Sequence, residues 1–234
     1  MAVSVRSRGA VLLVPAVLWL VWSAVRDPGR LGMIDLAVYR SGGLALRHGE
    51  PLYSAHPDGS LLPFTYPPFA GLLCVPLAVL DWTAARVAIT ALSLAALVLA
   101  AHLSVHSAGL RVPGATTAAV GAGLLLEPVR ATLSFGQVNL LVMALVLTDL
   151  TARTHRRSCG VLVGIAAGIK LTPLIFLPYL LLTGRRRAAG VALASFAGTV
   201  LAGWLVLPAE SARYWLHLVA EPDRVGGVGY SGNQ

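Results

Sequence analysis

Two ionisable residues stand where apolar sequence makes them costly, and they frame the chemistry open to this chain. Asp35 heads the stretch Gly32-Met33-Ile34-Asp35-Leu36-Ala37-Val38-Tyr39, just beyond a first apolar run over residues 11–25. A carboxylate at the mouth of a membrane cavity can take a proton from a hydroxyl once hydrogen bonds orient it. The alternative is structural: Asp is a favoured N-cap residue and could simply cap the next helix. Lys170 is the only lysine among the 18 Lys and Arg residues, and it lies inside the apolar stretch 161–182 between Gly168 and Pro173. Charge within a membrane is expensive and points to function. A helix broken around it also frees N–H groups for an anion, which makes a phosphate the natural ligand. Snorkelling of the ammonium to a headgroup is the structural alternative.

Four further groups carry weaker signals. Glu127 and Arg130 flank Pro128 at the end of an apolar run, either as an ion pair at three-residue spacing or as the polar lining of a cavity. Gln137 and Asn139 follow Ser134-Phe135-Gly136, where their amides could cap a helix or hold sugar hydroxyls. His48, Glu50 and His56 imitate a metal set, but their spacing matches no helical metal motif and their loop is rich in Pro and Gly, so no metal is expected. Cys74 and Cys159 have no Cys-x-x-Cys partner, which argues against both a structural metal and a disulfide framework. Tyr214 and Trp215 read as interfacial anchors.

The elements that must position these groups are membrane helices. Of the 234 residues, 56% are hydrophobic and only 12% charged, whereas a soluble domain carries roughly twice that charge. Mean hydropathy is +0.75, and several apolar runs approach the ~17–25 residues that a hydrocarbon core demands. The sequence therefore predicts an all-α, polytopic integral membrane protein forming one transmembrane domain over residues 1–234. A net charge of +8 could suggest nucleic acid, but the charges are in the wrong places for it. Arg6 and Arg8 precede the first run, Arg153, Arg156 and Arg157 share one short connection, and three arginines stand together at 185–187. Short basic segments mark the cytoplasmic side and suit anionic headgroups. The N terminus is thus expected in the cytoplasm, and the apolar run behind it is read as a retained helix and not a cleaved leader.

That orientation puts a long first loop, residues 26–62, outside, with interfacial helices bracketing Ser41-Gly42-Gly43 as one broken or two short pieces. Apolar runs follow at 70–80, 85–103, 115–126, 138–150, 161–182 and 188–207, then a polar, glycine-rich external tail over 208–234. Pro67 and Pro68 suit a first helical turn. The arginine segments place Asp35 and Gln137 on the same external face, yet three runs lie between them, so one run cannot cross fully. The run at 70–80, short and with Pro76 inside it, is the weakest candidate. The run at 161–182 lies between two cytoplasmic segments, so it should dip in and return at Gly168–Pro173, placing Lys170 at the face opposite the arginines.

The ordered set Asp35-Leu36-x-Val38-Tyr39, Gly49-x-x-x-Tyr53, Phe64-x-Tyr66-Pro67-Pro68-Phe69, Phe135-Gly136-Gln137-Val138-Asn139 and Gly168-Ile169-Lys170-Leu171-x-Pro173 resembles, in the same order, the actinobacterial polyprenol-phosphate-mannose-dependent alpha-mannosyltransferases of glycosyltransferase family 87. The resemblance implies a GT-C-like membrane fold and a hexosyltransferase moving a hexose, mannose by the resemblance, from a polyprenyl-phosphate donor to a glycolipid or polysaccharide acceptor. Transfer would take place at the external face of the plasma membrane, with inversion and without metal or other cofactor. By position, Asp35 matches the family's catalytic aspartate. Lys170 would sit near the donor phosphate, and Tyr39, Tyr66, Glu127, Arg130, Gln137 and Asn139 would line the cavity, with Pro67 and Pro68 shaping its entrance beside Tyr66. Family members are considerably longer, which implies that this chain is an N-terminal fragment lacking the part that completes the lipid groove. A transporter or flippase for an anionic or lipid-linked substrate is the competing reading, because a broken helix around Lys170 is equally good physics for a carrier. A carrier, however, predicts internal repeats, and none is visible.

Overall fold

The computed structural model describes residues 32–54, 62–151 and 158–221. The expected first span at 11–25, the arginine-rich connection at 153–157, His56 and the end of the chain from 222 lie outside them. Every regular element among the described residues is helical: α1 Ile34–His48, a 3-10 turn Leu52–Ser54, α2 Pro68–Val79, α3 Trp82–Ser107, α4 Ala115–Leu125, α5 Glu127–Phe135, α6 Asn139–Thr151, α7 Val161–Ile169, a 3-10 turn Thr172–Ile175, α8 Phe176–Leu182, α9 Arg186–Val206, α10 Pro208–Leu216 and a 3-10 turn Leu218–Ala220. Two of them, α3 and α9, are long and apolar enough to cross a membrane. At 1.5 Å per residue they extend about 39 and 31 Å, against a hydrocarbon thickness of about 30 Å. The chain is a multi-pass, all-α membrane protein.

The described residues pack as two compact units. The first takes the start of α1, α3 from Arg86, α4, α5 and α6. Its core is Ala96, Leu97 and Ala101 from α3 against Val120 and Leu124 from α4, Leu133 from α5, and Leu140 and Ala144 from α6. Between α4 and α5 the chain bends by 72°. Pro128 causes it: proline cannot supply the N–H that continuing α4 would need, so Leu126 is left extended and a new helix starts at Glu127.

The second unit holds the remainder of α1 with α2 and α7–α10. Here α1 and α2 run antiparallel. Arg40 donates from Nε to the Leu77 carbonyl (3.2 Å) and from Nη2 to that of Leu80 (2.7 Å), while further along α1 Gly43 lies against the Cys74 carbonyl and Leu46 beside Gly71. Arg40 thereby occupies carbonyls at the end of α2 that have no partner within the helix, and it also lies over the Trp82 ring at 5.7 Å. The short run at 70–80 forms α2, a helix of 12 residues, about 18 Å long. It brings the chain back to the level at which Arg40 left it. One expectation fails. α1 is a single unbroken helix through Ser41-Gly42-Gly43, because both glycines are buried where a side chain would collide, Gly42 with Phe64 and Gly43 with the backbone of Cys74.

The interrupted run at 161–182 does dip and return. Gly160, Gly164 and Gly168 face Ala188, Ala192 and Thr199 in turn, so close that a Cβ on any of them would strike α9. Residue numbers rise together along both helices, so α7 and α9 run parallel and the segment between must travel back. Arg185 closes the loop by donating from Nη2 to Cys159 Sγ (2.9 Å), and Ser195 Oγ donates to the Val161 carbonyl (2.9 Å). Small residues every fourth position are the usual device for bringing membrane helices into backbone contact. Gly168 stands beside Thr199, about 20 Å along α9 from its arginine end and about 10 Å from the other. The tail also differs from expectation in opening with a helix. Pro208 starts α10, and Ser211 and Tyr214 are buried.

Candidate active site

Asp35 is the second residue of α1, within the first turn, where the helix dipole favours a negative charge. Gln137 Nε2 donates to Asp35 Oδ2 at 3.0 Å, and Asn139 Nδ2 donates to Gln137 Oε1 at 2.6 Å. Because the Gln137 carbonyl is held by Asn139, its amide can only turn its NH2 toward the acid. The chain of three polar groups therefore fixes both the position of the carboxylate and the side from which it is supported.

Backbone geometry explains why these residues meet. α5 ends at Gly136 in the left-handed conformation, φ 68°, and the Gln137 N–H returns to the Thr132 carbonyl (2.9 Å). A Cβ on Gly136 would lie 2.9 Å from Leu36 Cβ. Only glycine accepts both this φ and this approach, so the Phe-Gly-Gln-Val-Asn sequence is the bend that brings the two amides to α1. From the other side Met33, at φ 43°, donates its N–H to the Ser134 carbonyl (3.1 Å). That conformation is uncommon for a residue with a side chain, and it starts α1 directly against the end of α5. Glu127 and Arg130 lie on α5, the glutamate exposed at its first turn and the arginine half-buried.

Lys170 ends α7 in extended conformation, φ −147° and ψ 130°, so the helix stops at the lysine itself. It borders a cavity of about 310 Å³, at the small end of the ~300–1,000 Å³ range of ligand pockets. Tyr66, Tyr214, Thr65, Thr172 and Glu221 line the same space, and Leu218 and Val219 make part of it apolar. Tyr66 is tied to its neighbours. Its hydroxyl pairs with that of the buried Tyr39 at 3.0 Å, and its carbonyl accepts from Tyr53 Oη at 3.0 Å. Pro67 lines the cavity beside it, and Pro68 opens α2 as the first-turn proline expected.

Residues expected near a site thus fall into two sets: Asp35, Gln137 and Asn139 in the first unit, and Tyr39, Tyr66 and Lys170 in the second. His48 and Glu50 are exposed on and just beyond the end of α1. Reasoning from sequence placed Tyr53 in a motif without giving it a role, missed Glu221, and misjudged Tyr214. That ring is no exposed anchor. It is 4% exposed and stacks on Tyr53 with centroids 5.5 Å apart. It also missed Asp149, an acid 5% exposed within α6, although a carboxylate inside the apolar run at 138–150 was a visible signal.

Comparison with known proteins agrees with the geometry. The chain is 38% identical over 248 aligned residues to a polyprenol-phosphate-mannose-dependent alpha-(1-2)-phosphatidylinositol mannoside mannosyltransferase of Mycolicibacterium smegmatis, covering 95% of this chain and 54% of that protein. It is 36% identical to the protein of the same description in Mycobacterium tuberculosis, over 86% of this chain and 52% of that one. A polyprenol-phosphate-mannose-dependent alpha-(1-2)-phosphatidylinositol pentamannoside mannosyltransferase of M. smegmatis is 37% identical over 95% of this chain and 55% of its own length. The chain thus spans about half the length of these relatives. No solved structure matches. Residues 64–234, which include Tyr66, the Phe-Gly-Gln-Val-Asn bend and the Lys170 loop, match Glycosyltransferase family 87; the chain belongs to that family.

Proposed function

We propose that this chain is the part of a membrane mannosyltransferase that carries the base and the donor-phosphate cation. It would transfer a hexose, mannose by its relatives' descriptions, from polyprenyl phosphate to a hydroxyl of a glycolipid or polysaccharide acceptor. The observation that carries this is the amide-supported acid, Asn139 to Gln137 to Asp35. An ionised carboxylate accepts up to about four hydrogen bonds, and the bond from Gln137 to Oδ2 orients the group as a base for an acceptor hydroxyl. In the transfer, the acceptor oxygen forms its bond to C1 of the sugar while the bond from C1 to the phosphate oxygen breaks. The hydroxyl proton goes to Asp35, and the bonding pair leaves with the polyprenyl phosphate. One displacement with one base inverts C1. Lys170 supplies positive charge to the leaving phosphate in place of a metal ion.

The orientation belongs to the same proposal: the arginines at 185–187 at the cytoplasmic face, and Asp35 and the Lys170 cavity toward the outside. The relatives' descriptions favour a transferase over a carrier. The test is transfer of labelled mannose from polyprenyl-phosphate-mannose to phosphatidylinositol mannoside acceptors by the protein as its gene encodes it, purified into lipid. Acceptor-dependent product is expected. Transport of the lipid-linked sugar across the bilayer without any glycosidic product would overturn the reading in favour of a flippase.

A further inference from the structure

The cavity beside Lys170 is furnished for more than a phosphate. An anion site needs a cation and donors; a carboxylate on its wall opposes it. Yet Glu221 lines the same 310 Å³ space as Lys170, with the hydroxyl-bearing side chains of Tyr66, Tyr214, Thr65 and Thr172. The placement of Glu221 is built in. Its N–H donates to the Leu218 carbonyl (3.2 Å), closing the turn after Leu218–Ala220, and that turn follows α10, whose Tyr214 is buried against Tyr53.

A cation and a carboxylate in one small, partly aromatic cavity fit a ligand with an anionic group joined to a neutral, hydroxyl-rich one. We propose that Glu221 is the residue that reads the sugar of the donor, its carboxylate accepting hydrogen bonds from hexose hydroxyls while Lys170 pairs with the attached phosphate. The proposal rests on the reading of Lys170 as the donor-phosphate cation. Sugar hydroxyls are donors as well as acceptors, and an ionised carboxylate is the side chain that only accepts. It therefore takes hydroxyl pairs that an amide would meet with one wrong-way N–H. The half-buried ring of Tyr66 offers an apolar face for the C–H side of a hexose, and Leu218 and Val219 add apolar wall to the same cavity.

The experiment compares two lipids on the intact protein: polyprenyl-phosphate-mannose as donor, and sugar-free polyprenyl phosphate as competitive inhibitor. Glu221→Gln should raise KM for the donor about tenfold, the worth of one charge-assisted hydrogen bond, and leave the inhibition constant of polyprenyl phosphate unchanged or tighter. Lys170→Met should weaken both. If Glu221→Gln changes neither lipid's binding, or shifts both by the same factor, Glu221 does not read the sugar and the proposal is overturned. If Lys170→Met leaves inhibition by polyprenyl phosphate intact, the parent reading of Lys170 fails, whatever the Glu221 variant does.

Discussion

Removing the amide behind Asp35 is the perturbation whose size follows most directly from the geometry. In Gln137→Leu the chain keeps its bulk beside α1 but loses the 3.0 Å bond from Nε2 to Asp35 Oδ2. A hydrogen bond to a charged group is worth about 1.5–3 kcal/mol, and each 1.36 kcal/mol is a factor of ten in rate. Asp35 is only half-buried, so water can replace part of the loss and the lower end applies, a fall of about tenfold in kcat. The defect should appear in kcat and not in donor KM, because the amide orients the base and touches no phosphate. Asn139→Ala removes the 2.6 Å bond that holds the Gln137 carbonyl and should cost less, a few-fold. Steady-state transfer from polyprenyl-phosphate-mannose, with protein folding checked by melting temperature in detergent, measures both. Wild-type kcat in Gln137→Leu would refute the reasoning, and so would a larger loss in Asn139→Ala than in Gln137→Leu.

Other expectations follow from packing. Gly164→Ala places a methyl against the Ala192 carbonyl and Ser195, and overpacking of this kind costs about 1–3 kcal/mol; a lowered melting temperature is expected, while Gly190→Ala, with open space around it, should be neutral or gain up to about 1 kcal/mol from helix propensity. Gly136→Ala combines the left-handed φ of 68° with a collision at Leu36; the αL conformation alone costs about 1–2 kcal/mol, and activity should fall along with stability. Tyr39→Phe removes the hydroxyl pairing with Tyr66, worth about 0.5–1.5 kcal/mol, and should lower the melting temperature by a few degrees and raise donor KM a few-fold.

Much of this fold was legible in the residues. The arginine pattern implied that the run at 161–182 turns back, and α7, α8 and Arg185 do so. The short run with Pro76 inside became α2, which folds back along α1. What escaped was tertiary. Gly42-Gly43 reads locally as a helix breaker, but the two glycines mark the place where Phe64 and α2 press closest on an intact helix. Tyr214 beside Trp215 matches an interfacial pair in composition, and only its stacking on Tyr53, over 150 residues earlier in the chain, shows that it is buried. Glu221 gave no signal at all, since an acid in a polar stretch is unremarkable until the fold sets it on the wall of the same cavity as a lysine.

The central claim is that Asp35 takes the acceptor proton, and Asp35→Asn tests it with the least change in shape. The measurement is the single-turnover rate of mannose transfer from polyprenyl-phosphate-mannose, with acceptor saturating, for wild type and Asp35→Asn in the same lipid. Loss of a positioned general base should slow transfer by about 10²–10⁴-fold while binding of the donor stays within a few-fold of wild type. A transfer rate equal to that of the wild type would contradict the account.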